Sequence, residues 1–161
     1  MGTAPDNNLE RMIQLAEDFF AAKSDPSQIS VTPGVMRRLK KIHPATITER
    51  RTAGGPVAWI LILPTTKILM EQFISKKINE RELYKKTPIH KKYDSIYLCS
   101  ALVLPEHRGR GLAKKMMIKA ITSVQKDHPV QALFYWAFSA KGKKLALSVS
   151  RELSIPLFRR L

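Results

Sequence analysis

Two glycines, Gly109 and Gly111, one residue apart between an apolar run and an amphipathic one, constrain this chain more than any other feature. Upstream, Ile96-Tyr97-Leu98-Cys99-Ser100-Ala101-Leu102-Val103 is apolar and partly β-branched or aromatic, and it is bounded by Pro105. That pattern reads as a buried strand. Downstream, Leu112, Met116, Met117, Ala120, Ile121 and Val124 recur at helical spacing, with Lys114, Lys115, Lys119 and Lys126 largely on the other face. That pattern reads as an amphipathic helix. Bare backbone is thus delivered to a helix N-terminus, where the first N–H groups lack partners and the dipole favours an anion. The turn is a candidate phosphate cradle.

Known phosphate loops can be tested against it. The dinucleotide pattern G-x-G-x-x-G would need glycine where Lys114 stands, and no G-x-x-x-x-G-K-[ST] occurs. What fits is R-x-x-G-x-A, filled by Arg108, Gly111 and Ala113 after the lead-in Val103-Leu104-Pro105. The same residues also suit a tight strand-to-helix turn that holds no ligand. With this motif the chain resembles the GNAT acyltransferase superfamily, whose acyl-CoA signature is (Q/R)-x-x-G-x-(G/A). The resemblance implies an α/β (α+β) fold: a mixed, mostly antiparallel twisted sheet flanked by helices on both faces. It implies acetyl-CoA or a related acyl-CoA as cofactor, with the diphosphate held by Arg108, Gly109, Arg110, Gly111, Leu112 and Ala113. The backbone of Leu102, Val103 and Leu104 would take the pantetheine arm. The acyl group would pass to an amine by direct attack in a ternary complex.

The remaining segments suit a single domain over 1–161. Leu9, Met12, Ile13, Ala16, Phe19 and Phe20 form one helical stripe, with Asp6, Asn7 or Asn8 as cap and Asp25-Pro26 as stop. Thr32-Pro33 opens a second helix that runs to His43-Pro44 and carries Arg37, Arg38, Lys40 and Lys41. This basic face is read as solvated, or as attracting an acidic substrate. Residues 46–51 and 57–63 read as a hairpin with a loop of several residues, its second strand central and ended by Pro64. About 65–93 is a helical insertion relative to the family, with Glu80, Glu82, Lys85 and Lys86 outward. It is either an acceptor lid or a layer packed on the sheet. Residues 130–138 read as a strand, 139–153 as a helix and 155–161 as a short strand. The family usually adds one more strand, so a truncated edge or completion by a second subunit is open.

Twenty-eight Lys and Arg against 13 Asp and Glu give a net charge of +15. Residues 1–30 run the other way, with five acids against two bases, so the excess lies beyond them. A polyanionic partner follows, either CoA phosphates or nucleic acid. A basic nucleic-acid or ribosome-associated module is therefore the rival reading. A CoA-binding protein without turnover is the third. A polyamine acceptor is disfavoured by like charge, and an acidic amine is favoured. No apolar run reaches the length of a membrane span, and the lone Cys99 allows no intrachain disulfide, so a cytoplasmic monomer or homodimer is expected.

Acyl transfer to an amine needs a stabilised carbonyl oxygen and a proton for the departing thiolate. The family often supplies the acid from a tyrosine in the helix after its fifth strand, but 140–150 contains none. Three hydroxyls remain as candidates: Ser148 in that helix, Tyr97 on the strand before the cradle, and Tyr135 on the strand after it. Cys99 lacks a local activating base and reads as a structural thiol. His43, His90 and His128 lack ligand spacing, so no metal is expected.

Overall fold

Strand β2 (Gly55–Thr65) is the centre of the sheet, continuously apolar from Trp59 to Leu63 and buried along nearly all its length. The computed structural model describes residues 4–20, 28–29, 32–136 and 139–161. On one side of β2 lies β1 (Ile47–Thr52), and on the other β3 (Ser95–Val103), both antiparallel to it. Then β4 (Ala132–Trp136) and β5 (Leu157–Arg160) follow in parallel, giving the order β1-β2-β3-β4-β5. The sheet is mixed but evenly so, with two pairings of each kind where mostly antiparallel was expected. The reason lies in the connections: a helix carries the chain back from β3 to β4 and again from β4 to β5, and such a crossover leaves successive strands parallel.

Other local expectations shift in detail. Thr52 pairs with Gly55, so the hairpin loop is only Ala53-Gly54. Pro64 does not end β2. The last residue of β1 to pair, Ile47, faces Leu61, so beyond it β2 has β3 alone as strand neighbour and the missing N–H breaks no second ladder. Helix α1 (Ala4–Phe20) begins ahead of Asp6, Asn7 and Asn8, which are helical rather than caps. The expected stop at Asp25-Pro26 lies outside the described residues, as does Phe138. Helix α2 (Pro33–Ile42) starts as read, with the Thr32 hydroxyl accepting from the Val35 amide at 3.2 Å.

The 65–93 segment forms α3 (Lys67–Ile74) and α4 (Glu80–Lys86). Their Met70, Phe73 and Leu83 join Leu39 and Ile42 of α2 against Leu61, Leu63, Tyr97 and Phe134 on one face of the sheet. With Phe73 and Leu83 fully buried, each holding about 1.5–3 kcal/mol of apolar burial, the segment packs on the sheet as a layer of the core. On the opposite face, α5 (Leu112–Asp127) and α6 (Ala140–Leu153) set Met117, Ile121, Val124 and Val149 against Ile60, Ile62, Ile96 and Leu133. Helix α1 closes a third cluster through Met12, packed with Val57, Leu102 and Leu104.

Glu80 corrects the outward assignment. It is the first residue of α4 after the cap Asn79, and it is buried at 3% exposure. The reciprocal Asn79–Glu82 capping box starts the helix in a register that turns Glu80 toward the sheet.

Candidate functional site

β3 and β4 are joined over only three residue pairs, Ser95 with Ala132, Ile96 with Leu133 and Tyr97 with Phe134, and then part. A bulge bends β3 at that point. On β2, Ile62 faces Leu98 and Leu61 faces Ser100, so Cys99 is the extra residue. The wedge between the strands is a groove of about 530 Å³. Its walls are Leu98 to Val103 of β3, Tyr135 and Trp136 of β4, and the opening turns of α5 and α6.

At the mouth of the groove, β3 runs through a 3-10 turn (Pro105–His107) into the glycine turn. Arg108 donates from Nε to the Val103 carbonyl at 2.8 Å, fastening the turn to the end of β3. Gly109 and Gly111 have φ of 79° and 72°, and a Cβ at either would meet nothing within 4 Å. Glycine is thus demanded by backbone conformation, not by space. Gly111 caps α5 with no side-chain acceptor, the first turn of α5 has no acid, and the first closing bond is Lys115 N–H to the Gly111 carbonyl. No group among the described residues accepts from the amides of Gly109 to Lys114. Such a row of unpaired donors fits a diphosphate.

Residues 54–161 match the model of the Acetyltransferase (GNAT) family. The chain belongs to this family. Two similar solved structures are Naa20 from Chaetomium thermophilum in complex with a bisubstrate analogue and a NatB acetyltransferase complex bound to a bisubstrate inhibitor. The first is 15% identical, with 88% of this chain and 65% of that one covered and a TM-score of 0.49. The second is 16% identical, with 71% and 55% covered and a TM-score of 0.40. The chain therefore spans less than two thirds of either. No curated protein matches it.

The GNAT signature falls on the open turn, and the residues present there suit the acetyl-CoA that this family uses. Arg108, Gly109, Gly111, Leu112 and Ala113 line the groove, as do Leu102 and Val103. Arg110 is exposed and not part of its wall. Leu104 is buried in the α1 cluster, its amide spent on the Val57 carbonyl at 2.9 Å. Of the three hydroxyl candidates, only Tyr135 lines the groove. It is the first residue beyond the last β3–β4 pair, and nothing among the described residues holds its hydroxyl. Tyr97 is fully buried and donates to Glu80 Oε2 at 2.6 Å. Ser148 faces a separate shallow depression with Lys144, Arg151 and Glu152.

Sequence reasoning missed part of the wall. The strand bends at Cys99-Ser100, two residues ahead of the Leu102–Leu104 stretch expected to take the pantetheine arm. The signal was three small residues, Cys99-Ser100-Ala101, between Leu98 and Leu102 of an otherwise bulky strand. It also missed the α6 opening, where Ser139 caps by accepting from the Gly142 amide at 3.1 Å and Lys141 reaches the groove.

Glu80 is the other omission. Its Oε1 accepts from the Ile29 amide at 2.9 Å, and its Oε2 lies 3.9 Å from the Cys99 sulfur. Burial pushes Glu80 upward against the hydrogen bonds that it receives. Burial first, and then the Glu80 charge, hold Tyr97 and Cys99 well above their ordinary values. Cys99, although it lines the groove, is thus a protonated thiol. Near the cradle, Arg11 and Glu106 form an exposed two-bond pair at 2.6 and 2.7 Å, which holds the Glu106 carboxyl down to about 2.

Proposed function

We propose that this protein transfers an acetyl or other short acyl group from acyl-CoA to an amine by direct attack within a ternary complex. The observation that carries this reading is the unpaired amide row at the Gly109–Gly111 turn, opening into a mostly apolar groove of about 530 Å³. The cofactor supplies the activated thioester, and the chain supplies position and protons. The amides from Gly109 to Lys114 grip the diphosphate, and the bent backbone near Cys99 to Leu102 presents hydrogen-bonding groups along the arm. Tyr135, at the apex of the wedge, is the residue placed to give a proton to the departing sulfur. A covalent relay through Cys99 is disfavoured, because a thiol kept protonated by burial beside a carboxylate is a poor nucleophile. The net charge of +15 supports an amine on an acidic molecule as acceptor. A cytoplasmic setting is part of the proposal. Among the described residues no helix is long and apolar enough to cross a membrane.

The test is twofold. Acetyl-CoA should raise the melting temperature, since a ligand at a hundred times its Kd adds about 2.7 kcal/mol to a native state that alone binds it. Free-thiol release across a panel of amines should then identify an acceptor. Tyr135→Phe should lower kcat about a hundredfold or more while leaving the KM for acetyl-CoA nearly unchanged. No thermal shift at millimolar CoA would end the proposal, and a shift without thiol release would leave a binding protein without turnover.

A further inference from the structure

The cofactor groove accounts for the cations around the start of α5 but not for those at its other end. A 16-residue helix is about 24 Å long. At its far end the structure gathers the C-termini of three helices. The Arg38 guanidinium of α2 donates to the carbonyls of Tyr84 and Thr87 at 2.8 and 2.6 Å, docking α2 on the last turn of α4. His43, just after α2, meets Asp127 at the end of α5 at 2.7 Å, and Lys92 donates to the Asp127 carbonyl at 2.9 Å. These tethers bring Lys40 and Lys41, Lys85 and Lys86, Lys91 and Lys126 to one corner, all exposed. Among the described residues none of the six has a carboxylate partner. The acids beside them are Asp127, already engaged by His43; Asp94, which is half-buried and accepts from the Ser95 hydroxyl; and Glu82, one turn before Lys85 and Lys86 on α4, whose carboxylate accepts from the Asn79 amide in the capping box.

Six unpaired ammonium groups at one corner repel each other and lower stability unless they serve an anion. Helix C-termini offset part of that cost, because cations are favoured there. We propose that this corner is a docking surface for nucleic acid, which it grips through the phosphate backbone at a site separate from the groove. Nucleic acid is favoured over an acidic protein by what the corner lacks. Its aromatic rings are turned inward, with Tyr84 and Tyr93 buried, and of the exposed large apolar residues only Met36, one turn before Lys40 on α2, lies on an element of the corner; the others are on α1, α3 and the β5 end. Protein interfaces draw their energy from buried apolar and aromatic anchors, whereas phosphate contacts need only Lys and Arg and carry no sequence information.

The experiment titrates the full chain with a fluorescein-labelled oligouridine of about 20 nucleotides over a salt series. For single strands the slope of log K against log salt is about −0.7 per phosphate contact, so six lysines should give a slope near −4. Lys41→Glu, Lys85→Glu, Lys86→Glu and Lys91→Glu together should weaken binding more than about tenfold at low salt and bring the slope near −1. The thermal shift with CoA should stay unchanged in that variant, which also shows that it folds. Three results would overturn the inference: no binding at low salt, binding that CoA displaces while the four-residue variant retains it, or equal competition by polyglutamate at matched ionic strength. Each is distinguishable from failure of the acyltransferase reading, which is read by CoA alone.

Discussion

The two ends of α5 are built on opposite terms. At its start the backbone is left open, with no side-chain cap and two left-handed glycines, and no acceptor among the described residues meets the amides. At its end the backbone and histidine groups are matched, while the lysines around them stay unpaired among the described residues. The His128 amide reaches the Val124 carbonyl, Asp127 holds His43, and His128 Nδ1 accepts from the Tyr93 amide at 3.3 Å. The buried His43 ring serves twice, since its Nδ1 also accepts from the buried Ala45 amide at 3.0 Å. The contrast shows where the fold keeps unpaired backbone amides in reserve. Unpaired donors cost stability in the free protein, so they are concentrated where a ligand can satisfy them, and the other end is sealed to hold the helix in place.

Breaking the sealed end should have the largest effect on stability. His43→Ala orphans the Ala45 amide and leaves a void, and a loss of about 2–3 kcal/mol is expected in urea unfolding. His43→Asn, which can still cap the 3-10 turn, should recover part of it. Breaking the open end should cost less stability but more function. Gly111→Ala forces a side chain into a left-handed conformation at about 1–2 kcal/mol, and it should also reduce the thermal shift produced by CoA. If His43→Ala abolished that shift while Gly111→Ala preserved it, the assignment of the two ends would be reversed.

Acidification acts on the sealed end through His128 and Asp127. His128 lies below its ordinary value of 6.5, by burial and then by the neighbouring His43, so the unfolded chain takes up a proton more readily than the folded one. Stability should therefore fall as the pH drops below about 6.5. Asp127 is held below 3.8 by its bond to His43, so its contribution is present above that value and lost as the pH falls through its lower folded value. A His128→Gln variant should flatten the upper part of that profile in pH-dependent melting. The smallest effect is expected from Glu106→Gln. Its pair with Arg11 is exposed on both sides, so the melting temperature should move only slightly and the difference should vanish in high salt.

What could be read from the chain beforehand follows the range of the physics. The strand, the glycine turn and the helix after it are written in adjacent residues, as are the Thr32-Pro33 start of α2 and the central character of Trp59 to Leu63. The bulge at Cys99 is not, because an extra residue exists only relative to the partner strand. Nor is the burial of Glu80, which depends on the register of α4 over a sheet about fifteen residues away in sequence. The direction of β5 depends on where α6 returns the chain. Among the candidate hydroxyls, spacing alone left Tyr97, Tyr135 and Ser148 all open. Parity about the bend and the helical face separate them.

The short seam between β3 and β4 has a mechanical consequence. Tyr97 and Phe134, stacked with ring centres 5.2 Å apart, form the last rung before the strands diverge. The six residues from there to Val103 make an arm of roughly 20 Å at about 3.3 Å per residue. A tilt of about 5° between β4 and the paired β2–β3 strands at that rung would move the arm's tip by roughly 1.7 Å, so the packing of these two buried rings bears on the width of the groove at its far end.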